Sequence, residues 1–167
     1  MSAQAHPALG LRPFLPADAP LLAEIFREAI AELTGDDYSE AQREAWASLA
    51  DDSENFGGDL SQELTLVATL AGSPVGFATL EGQDKIGMLY IHPAAVNRGV
   101  AALLIDALEK LAAGRGAAAL KVDASDTAYG FFLRRGYAAQ QRNTVSTGGE
   151  WLANTTMQKQ LAKREAS

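Results

Sequence analysis

Apolar residues along the chain follow two spacings, one typical of helices and one typical of strands. From Leu22 to Leu33 and from Val100 to Leu111 they recur every three to four positions, so each segment presents one apolar face. Shorter apolar runs bounded by glycine or proline indicate strands. The predicted strands are 9–15, 64–70, 75–80, 86–91, 118–122, 137–145 and 151–158, and the predicted helices lie between Asp18 and Gly35, Ser39 and Ala50, Gly99 and Gly114, and Asp126 and Gly136.

The order of these elements predicts the fold class. A helical crossover joins parallel neighbours, so the strands on either side of the helix after Gly99 are predicted to be parallel. We therefore predict an α/β (α+β) fold with a mixed, mostly antiparallel central sheet of about seven strands and helices on both faces. Residues 1–167 are expected to form a single domain with its core at about 9–161. We also expect a polar loop over Asp51–Glu63 and a frayed tail after Leu161.

Composition and charge narrow the classes of function. The 167 residues carry a net charge of −7 and no cysteine, and the two histidines are His6 and His92. These counts exclude a disulfide, a thiolate nucleophile and a metal site built on cysteine or a histidine cluster, and we expect no metal. An acidic surface disfavours nucleic acid and anionic membranes as partners. With no signal-like start and no apolar run near ~18 residues, we expect a cytoplasmic protein.

The start of the third predicted helix is the clearest candidate for chemistry. From Ala94 to Ile105 there is no acidic residue, although the chain carries 21. Bare N–H groups and the helix dipole at such a start favour an anion. Gly99 lets that anion approach the backbone, and Arg98 can add a charge-assisted hydrogen bond. The alternative interpretation is that Gly99 only begins the helix. Neither GxGxxG nor GxxxxGK followed by Ser or Thr occurs, which disfavours dinucleotide and nucleoside triphosphate sites.

Further motifs make the chain similar to a known family. Ile91-His92-Pro93 leads into the loop 96–101, which reads VNRGVA, and residues 128–137 read AYGFFLRRGY. Together with the Arg12-Pro13 opening and the order of elements, these stretches resemble the GNAT acetyltransferases over about 11–161. The resemblance implies that acetyl-CoA is the co-substrate and that its pyrophosphate is the predicted anion.

The cofactor site that the resemblance implies is built largely from backbone. N–H groups after Val96 would cradle the pyrophosphate, and the strand before Pro93 would pair with the pantetheine arm. A splay between this strand and 118–122 would admit the arm, and an N–H group near Ile91 would polarise the thioester carbonyl. The implied cofactor-binding residues are Leu89, Tyr90, Ile91, Asn97, Arg98, Gly99, Val100, Ala101, Ala102 and Phe132.

Three positions depart from the family pattern. Val96 stands where glutamine or arginine is usual, which removes one side-chain contact to CoA. Phe132 replaces a tyrosine that commonly protonates the departing thiolate, so Tyr129 and Tyr90 become the candidate catalytic residues. Lys85 replaces a glutamate that serves some relatives as a base. The base is left open between Glu81, His92, Glu28 and water.

The acceptor site is implied between the first two helices, the central strands and the last hairpin. The candidate substrate-contacting residues are Glu28, Tyr38, Trp46 and Phe77, with Trp151 as a further wall. We hypothesise an acetyl-CoA-dependent N-acetyltransferase that acts on a primary amine of a small molecule, with a peptide N-terminus or a lysine side chain as the alternative acceptor. Direct attack in a ternary complex is favoured, because no cysteine can carry an acyl intermediate.

Two alternative functions stay open at this point. One is a catalytically impaired acyl-CoA-binding module of the same fold, which the departures at Val96, Phe132 and Lys85 motivate. The other is an interaction domain with no CoA site. Relatives are often dimers, so a homodimer is suggested by analogy alone.

Overall fold

Seven strands form one sheet in the part of the chain that the computed structural model describes, residues 8–161. They are β1 (Leu9–Pro13), β2 (Leu64–Leu70), β3 (Ser73–Glu81), β4 (Lys85–Ile91), β5 (Ala119–Ser125), β6 (Ala138–Thr147) and β7 (Glu150–Gln160). Their order is β1-β2-β3-β4-β5-β7-β6, and β4 and β5 run parallel while the other neighbours are antiparallel. The predicted mixed, mostly antiparallel sheet is confirmed, and the predicted tail after Leu161 lies outside the described residues.

Helices cover both faces of this sheet. They are α1 (Ala19–Leu33), α2 (Glu40–Ala47), α3 (Ser53–Gln62), α4 (Val100–Gly114) and α5 (Tyr129–Arg134). Successive strand residues point to opposite faces, so Phe77 of β3 packs into the core beneath α1 and α3, and Ala78 packs into the core beneath α4. Within residues 8–161, none of the helices has the length and apolar character needed to cross a membrane.

The sequence predicts that Asp18 caps α1 and that Ser39 and Gln42 form a capping box at the start of α2. The side chain of Asp18 does not cap α1, so that prediction is wrong. Its carboxylate accepts hydrogen bonds from both terminal nitrogens of Arg12, at 2.7 and 2.8 Å, and from the Leu15 N–H group at 2.8 Å. These bonds, the Arg12 bonds above all, hold the pKa of Asp18 below its usual value. The capping box between Ser39 and Gln42 at the start of α2 is confirmed.

The predicted loop over Asp51–Glu63 is wrong, because most of this segment is the helix α3. Asp52 caps it by accepting two hydrogen bonds of 3.1 Å from N–H groups of the first turn. The ring of Phe56 is buried in the core beneath α1. A Cβ at Gly57 would lie 2.6 Å from the Cβ of Ala19, so this glycine permits close packing of two helices. Glycine here reflects helix packing, although in the sequence it indicated a loop.

The parallel strands β4 and β5 separate soon after they begin to pair. Their register in the described residues covers Lys85 with Lys121 and Ile86 with Val122. The pairing of β3 with β4 also shifts by one residue at this level, between Thr79 and Leu80. The predicted splay between the two strands is therefore confirmed, and it opens the sheet from both faces.

Candidate active site

Two cavities meet where β4 and β5 separate. The first, which we call the helix cavity, has a volume of about 530 Å³ and lies between α1, the end of β4, the start of α4 and α5. The second, which we call the hairpin cavity, has a volume of about 190 Å³ and lies between α2, β4, β5 and the β6–β7 hairpin. The residues that line both are Trp46, Leu89, Tyr90, Ser125 and Ala128. Molecules bound in the two cavities can therefore meet at this junction.

Most of the predicted cofactor-binding residues line the helix cavity. They are Leu89, Tyr90, Ile91, Asn97, Gly99, Val100, Ala101 and Ala102. Arg98 is exposed beside the cavity and does not line it, and Phe132 lines the hairpin cavity instead. Further walls come from α5 and from α1, and the sequence analysis did not associate α1 with the cofactor.

Left-handed backbone at two positions shapes the entrance to α4. The φ angle is 64° at Asn97 and 81° at Gly99, and a Cβ at Gly99 would meet no atom within 4 Å. The helix bond from the Leu103 N–H to the Gly99 carbonyl measures 3.0 Å, so the N–H groups of 100–102 have no acceptor within the helix. The first turn contains no acidic residue. These unpaired N–H groups and the helix dipole make the entrance suitable for an anion.

Charge in the helix cavity has a single sign. Among the described residues that line it, Arg134 carries the only ionised side chain. Arg134 lies in the last turn of α5, and its guanidinium group would be 3.1 Å from a Cβ at Gly130, so it folds back along the helix. Sequence reasoning chose Arg98 as the cation and missed Arg134. A signal was present, because Arg134 follows the cavity-lining Phe131 by three positions and so shares its helix face.

The edge of β4 that faces β5 offers backbone hydrogen-bonding groups. The N–H of His92 bonds to the Val75 carbonyl at 2.8 Å, which turns His92 towards β3. Backbone groups alternate in direction along an antiparallel strand. The N–H groups of Leu89 and Ile91 therefore point into the gap left by the splay, where an extended ligand could pair with them.

Tyr90 lies at the junction of the two cavities. Its hydroxyl oxygen accepts a hydrogen bond of 3.2 Å from Trp46 Nε1, and its ring packs edge-on against Phe26 with 4.5 Å between centroids. Burial raises the pKa of Tyr90 well above its usual value, and the hydrogen bond from Trp46 lowers it only in part. The hydroxyl is therefore neutral at physiological pH. Because Trp46 donates to the oxygen, the hydroxyl proton stays available for a ligand.

Hydrogen bonds hold the β6–β7 hairpin against the first two helices. The Tyr38 hydroxyl donates to the Ala153 carbonyl at 2.5 Å and accepts from the Asp126 N–H group at 2.9 Å. Burial raises the pKa of Tyr38. Gln42 Nε2 donates to the Trp151 carbonyl at 2.7 Å. These contacts close one side of the hairpin cavity and fix Tyr38 as a wall rather than a reacting group.

Asp123 is the only acidic side chain among the described residues that line the hairpin cavity. One carboxylate oxygen accepts from the Thr156 hydroxyl at 2.7 Å, and the other lies 3.1 Å from Lys85 Nζ. Desolvation raises the pKa of Asp123, but the bonds from Thr156 and Lys85 outweigh it and lower the pKa below its usual value. Asp123 is thus an ionised group suited to attract a cation. The sequence analysis did not single it out.

The candidate bases occupy different places. Glu28 pairs with His92 Nε2 at 2.5 Å, and His92 Nδ1 accepts from the Ala94 N–H group at 3.0 Å, so the two hold the turn before α4. Neither lines a cavity. Glu81 lies against Gly87 of the hairpin cavity, since a Cβ at Gly87 would be 2.5 Å from Glu81 Oε1. Glu81 does not line the cavity itself but lies against Gly87, which does.

The other candidates, Tyr129, Phe77 and Trp151, line neither cavity of the junction. Tyr129 lines a separate open cavity with Asp126 and Arg142. Phe77 is fully buried beneath α1 and α3, and Trp151 is exposed and lines neither cavity of the junction. In residues 8–161, no group of three or more histidine, aspartate and glutamate side chains is arranged to hold a metal ion.

Comparisons with known proteins agree with this architecture. Residues 34–161 match the family model described as an acetyltransferase (GNAT) domain. The chain is 32% identical over 147 residues to the uncharacterized N-acetyltransferase YafP of Escherichia coli K12, covering 88% of this chain and 93% of that one. A crystal structure of a GCN5-related N-acetyltransferase from Rhodopseudomonas palustris is 61% identical, with a TM-score of 0.90 and coverage of 96% and 99%.

A more distant solved structure shares the fold. It is the PaiA N-acetyltransferase of Thermoplasma acidophilum in complex with coenzyme A. Its identity to this chain is 18%, its TM-score is 0.75, and the match covers 92% of this chain and 99% of that one.

Proposed function

The chain belongs to the GNAT family of N-acetyltransferases, and we propose that it transfers an acetyl group from acetyl-CoA to a primary amine of a small molecule. The observation that carries the proposal is the junction of the helix and hairpin cavities at Tyr90. Two substrates bound side by side can react there directly in a ternary complex. The chain has no cysteine to carry the acyl group in between.

The residues of the helix cavity fit acetyl-CoA, which supplies the acetyl thioester when bound. The unpaired N–H groups of 100–102 and the Arg134 guanidinium would hold its phosphates. The free backbone edge at Ile91, next to the entrance of α4, would pair with the amides of the pantetheine arm. The Leu89 N–H, at the junction of the two cavities, would donate to the thioester carbonyl oxygen as negative charge develops on it. Coenzyme A in the related PaiA structure supports the same choice of ligand.

The hairpin cavity would bind and prepare the amine. Ionised Asp123 attracts the ammonium form, and Glu81 beside Gly87 accepts the proton that the nitrogen must lose before attack. The nitrogen lone pair then adds to the thioester carbonyl carbon and the C–S bond breaks. The Tyr90 hydroxyl donates a hydrogen bond to the departing sulfur but keeps its own proton, because its pKa is raised. The second proton of the amine passes to the thiolate through solvent, which leaves a neutral amide and a thiol.

Release of free thiol tests this function directly. Because the chain has no cysteine, a disulfide reagent reports only the CoA thiol that is released. We expect amine-dependent thiol release with acetyl-CoA, and an N-acetylated product of matching mass. Tight acetyl-CoA binding with no transfer to any amine of a broad panel would contradict the proposal and favour a binding module.

A further inference from the structure

The walls of the hairpin cavity carry information about the acceptor. We infer that the acceptor is a compact primary monoamine with an apolar body and no carboxylate of its own, an inference that rests on the proposed function. Four apolar side chains line the hairpin cavity together with Asp123, namely Leu49, Met88, Val145 and Leu152, and the smaller polar side chains of Ser125, Thr147 and Asn154 line it as well. Such walls favour an aliphatic or aromatic body over a sugar or a polar chain.

Two of these walls are exposed to solvent although they are large and apolar. Leu49 is 58% exposed and Val145 is 44% exposed, and they come from the turn after α2 and from β6. Both line the hairpin cavity, so the apolar surface continues from its interior to its rim. A bound apolar body would remove part of this surface from water, which stabilises the complex.

Among the described lining residues the hairpin cavity has a single carboxylate, which disfavours amines that carry further charged groups. Asp123 is the one acidic side chain among the described lining residues, and Lys85 and Thr156 already occupy part of its hydrogen-bonding capacity. Lys85 does not line the cavity, so the charge that faces the acceptor is that of Asp123, which attracts one ammonium and repels a substrate carboxylate; this disfavours amino acids. A polyamine would bring further ammonium groups, and no second carboxylate is among the described lining residues to pair with them.

The small volume of the hairpin cavity and its closed side disfavour a polypeptide acceptor. The cavity of about 190 Å³ is smaller than the several hundred Å³ typical of drug-sized ligand sites. The bonds from Tyr38 to Ala153 and from Gln42 to Trp151 close the side between the helices and the hairpin. A polypeptide chain could not pass through this side, so a small free amine fits better than a peptide lysine.

Matched amines test the inference by thiol release. Phenethylamine and phenylalanine differ by one carboxylate, as do 3-methylbutylamine and leucine. We expect kcat/KM for each amine to exceed that for its amino acid by about 10²-fold, and spermidine to fall at least about 10-fold below phenethylamine. Equal or better turnover of the amino acids or of spermidine would overturn the inference.

Two variants assign the preference to these residues. Asp123→Asn should shrink the phenethylamine-to-phenylalanine ratio by about 10-fold while acetyl-CoA affinity is unchanged. Leu49→Ser should lower kcat/KM for phenethylamine relative to methylamine by about 10-fold. The matched control is Leu133→Ser, because Leu133 is 50% exposed and lines neither cavity.

The outcomes distinguish failure of the inferred acceptor class from failure of the proposed acetyl transfer. An unchanged ratio in Asp123→Asn, or an equal effect of the two leucine variants, overturns the acceptor class while acetyl transfer stands. Leu49→Ser decides the matter if Asp123→Asn does not fold. Absence of thiol release with every amine, together with failure to bind acetyl-CoA, overturns the proposed function and the acceptor class with it.

Discussion

The helix cavity and the hairpin cavity are built in different ways. At the entrance to α4 the ligand-facing groups are backbone N–H groups of consecutive residues, shaped by left-handed backbone at Asn97 and Gly99. In the hairpin cavity they are side chains from distant segments, such as Tyr38, Asp123 and Leu152. A backbone site depends on conformation and on the absence of acids, so it tolerates sequence change. A side-chain site changes with each substitution.

The largest loss of acetyl-CoA affinity is expected when a negative charge is placed at the entrance to α4. We expect Gly99→Glu to weaken acetyl-CoA binding about 10³-fold, because the carboxylate would face the phosphates at close range. Calorimetric titration measures the dissociation constant. Gly72→Glu is the matched control, since Gly72 also has a positive φ and open space around it but lies in the β2–β3 turn. Equal losses in the two variants would mean that backbone strain, and not the anion site, explains the effect.

A substitution beside the hairpin cavity should slow the reaction without changing acetyl-CoA binding. Glu81→Gln should lower kcat/KM about 10²-fold, which is the low end of the contribution of a general base, because water can replace Glu81 in part. Acetyl-CoA affinity should be unchanged. Steady-state kinetics across pH provides the measurement, with Glu54→Gln on the exposed side of α3 as a control. An unchanged rate would remove Glu81 from the proton path.

Tyr90 tests the junction between the two regions. Tyr90→Phe should reduce kcat by about 30-fold, the worth of a hydrogen bond to a developing anion. Tyr129→Phe should leave kcat unchanged, because Tyr129 lines a separate cavity. Single-turnover rates at saturating acetyl-CoA compare the two variants. A larger loss with Tyr129→Phe would reverse the assignment.

The cation of the helix cavity gives a smaller effect. Arg134→Ala should raise the acetyl-CoA dissociation constant about 10-fold, as expected for a charge-assisted contact near the surface. Arg98→Ala should change it less than about two-fold, since Arg98 does not line the cavity. Titration of both variants with acetyl-CoA decides between the two arginines, and the reverse ranking would restore Arg98.

The smallest expected effect concerns pH and Asp123. Its pKa is lowered in the folded state, so its stabilising effect is present above the unfolded value of about 3.9 and is lost as pH falls through the folded pKa. Asp123→Asn should lower the free energy of unfolding at pH 7 by less than about 1 kcal/mol, because the ion pair is partly exposed. This difference should shrink as pH falls below about 4 and towards the lowered pKa of the folded state, as urea denaturation can measure.

The contrast between the cavities also explains what could be predicted from the sequence. The candidate anion site at Gly99 spans a few consecutive residues, so spacing and the missing acids were enough to propose it. Arg134 and Asp123 lie on α5 and β5, and only the splay of β4 from β5 brings them to a cavity. Their roles depend on tertiary contacts that no local pattern records.

Other misses have local causes. Glu28 was expected at the acceptor, but His92 engages it beside the turn before α4. The helix α3 was missed because polar residues and two glycines outnumber its apolar positions, although Asp52 at its start and the buried pair Phe56 and Leu60 carry the signal. Composition alone is therefore a poor predictor of a helix whose packing depends on glycine.

The central claim is that the helix cavity binds acetyl-CoA, and thermal unfolding with and without this ligand tests it most directly. At ~100 times its dissociation constant, acetyl-CoA should stabilise the fold by about 2.7 kcal/mol and raise Tm by several degrees. NADH and ATP, which also carry phosphates, serve as controls and should give no comparable rise. A rise with acetyl-CoA alone is the predicted result. No rise, or an equal rise with ATP, would contradict the account.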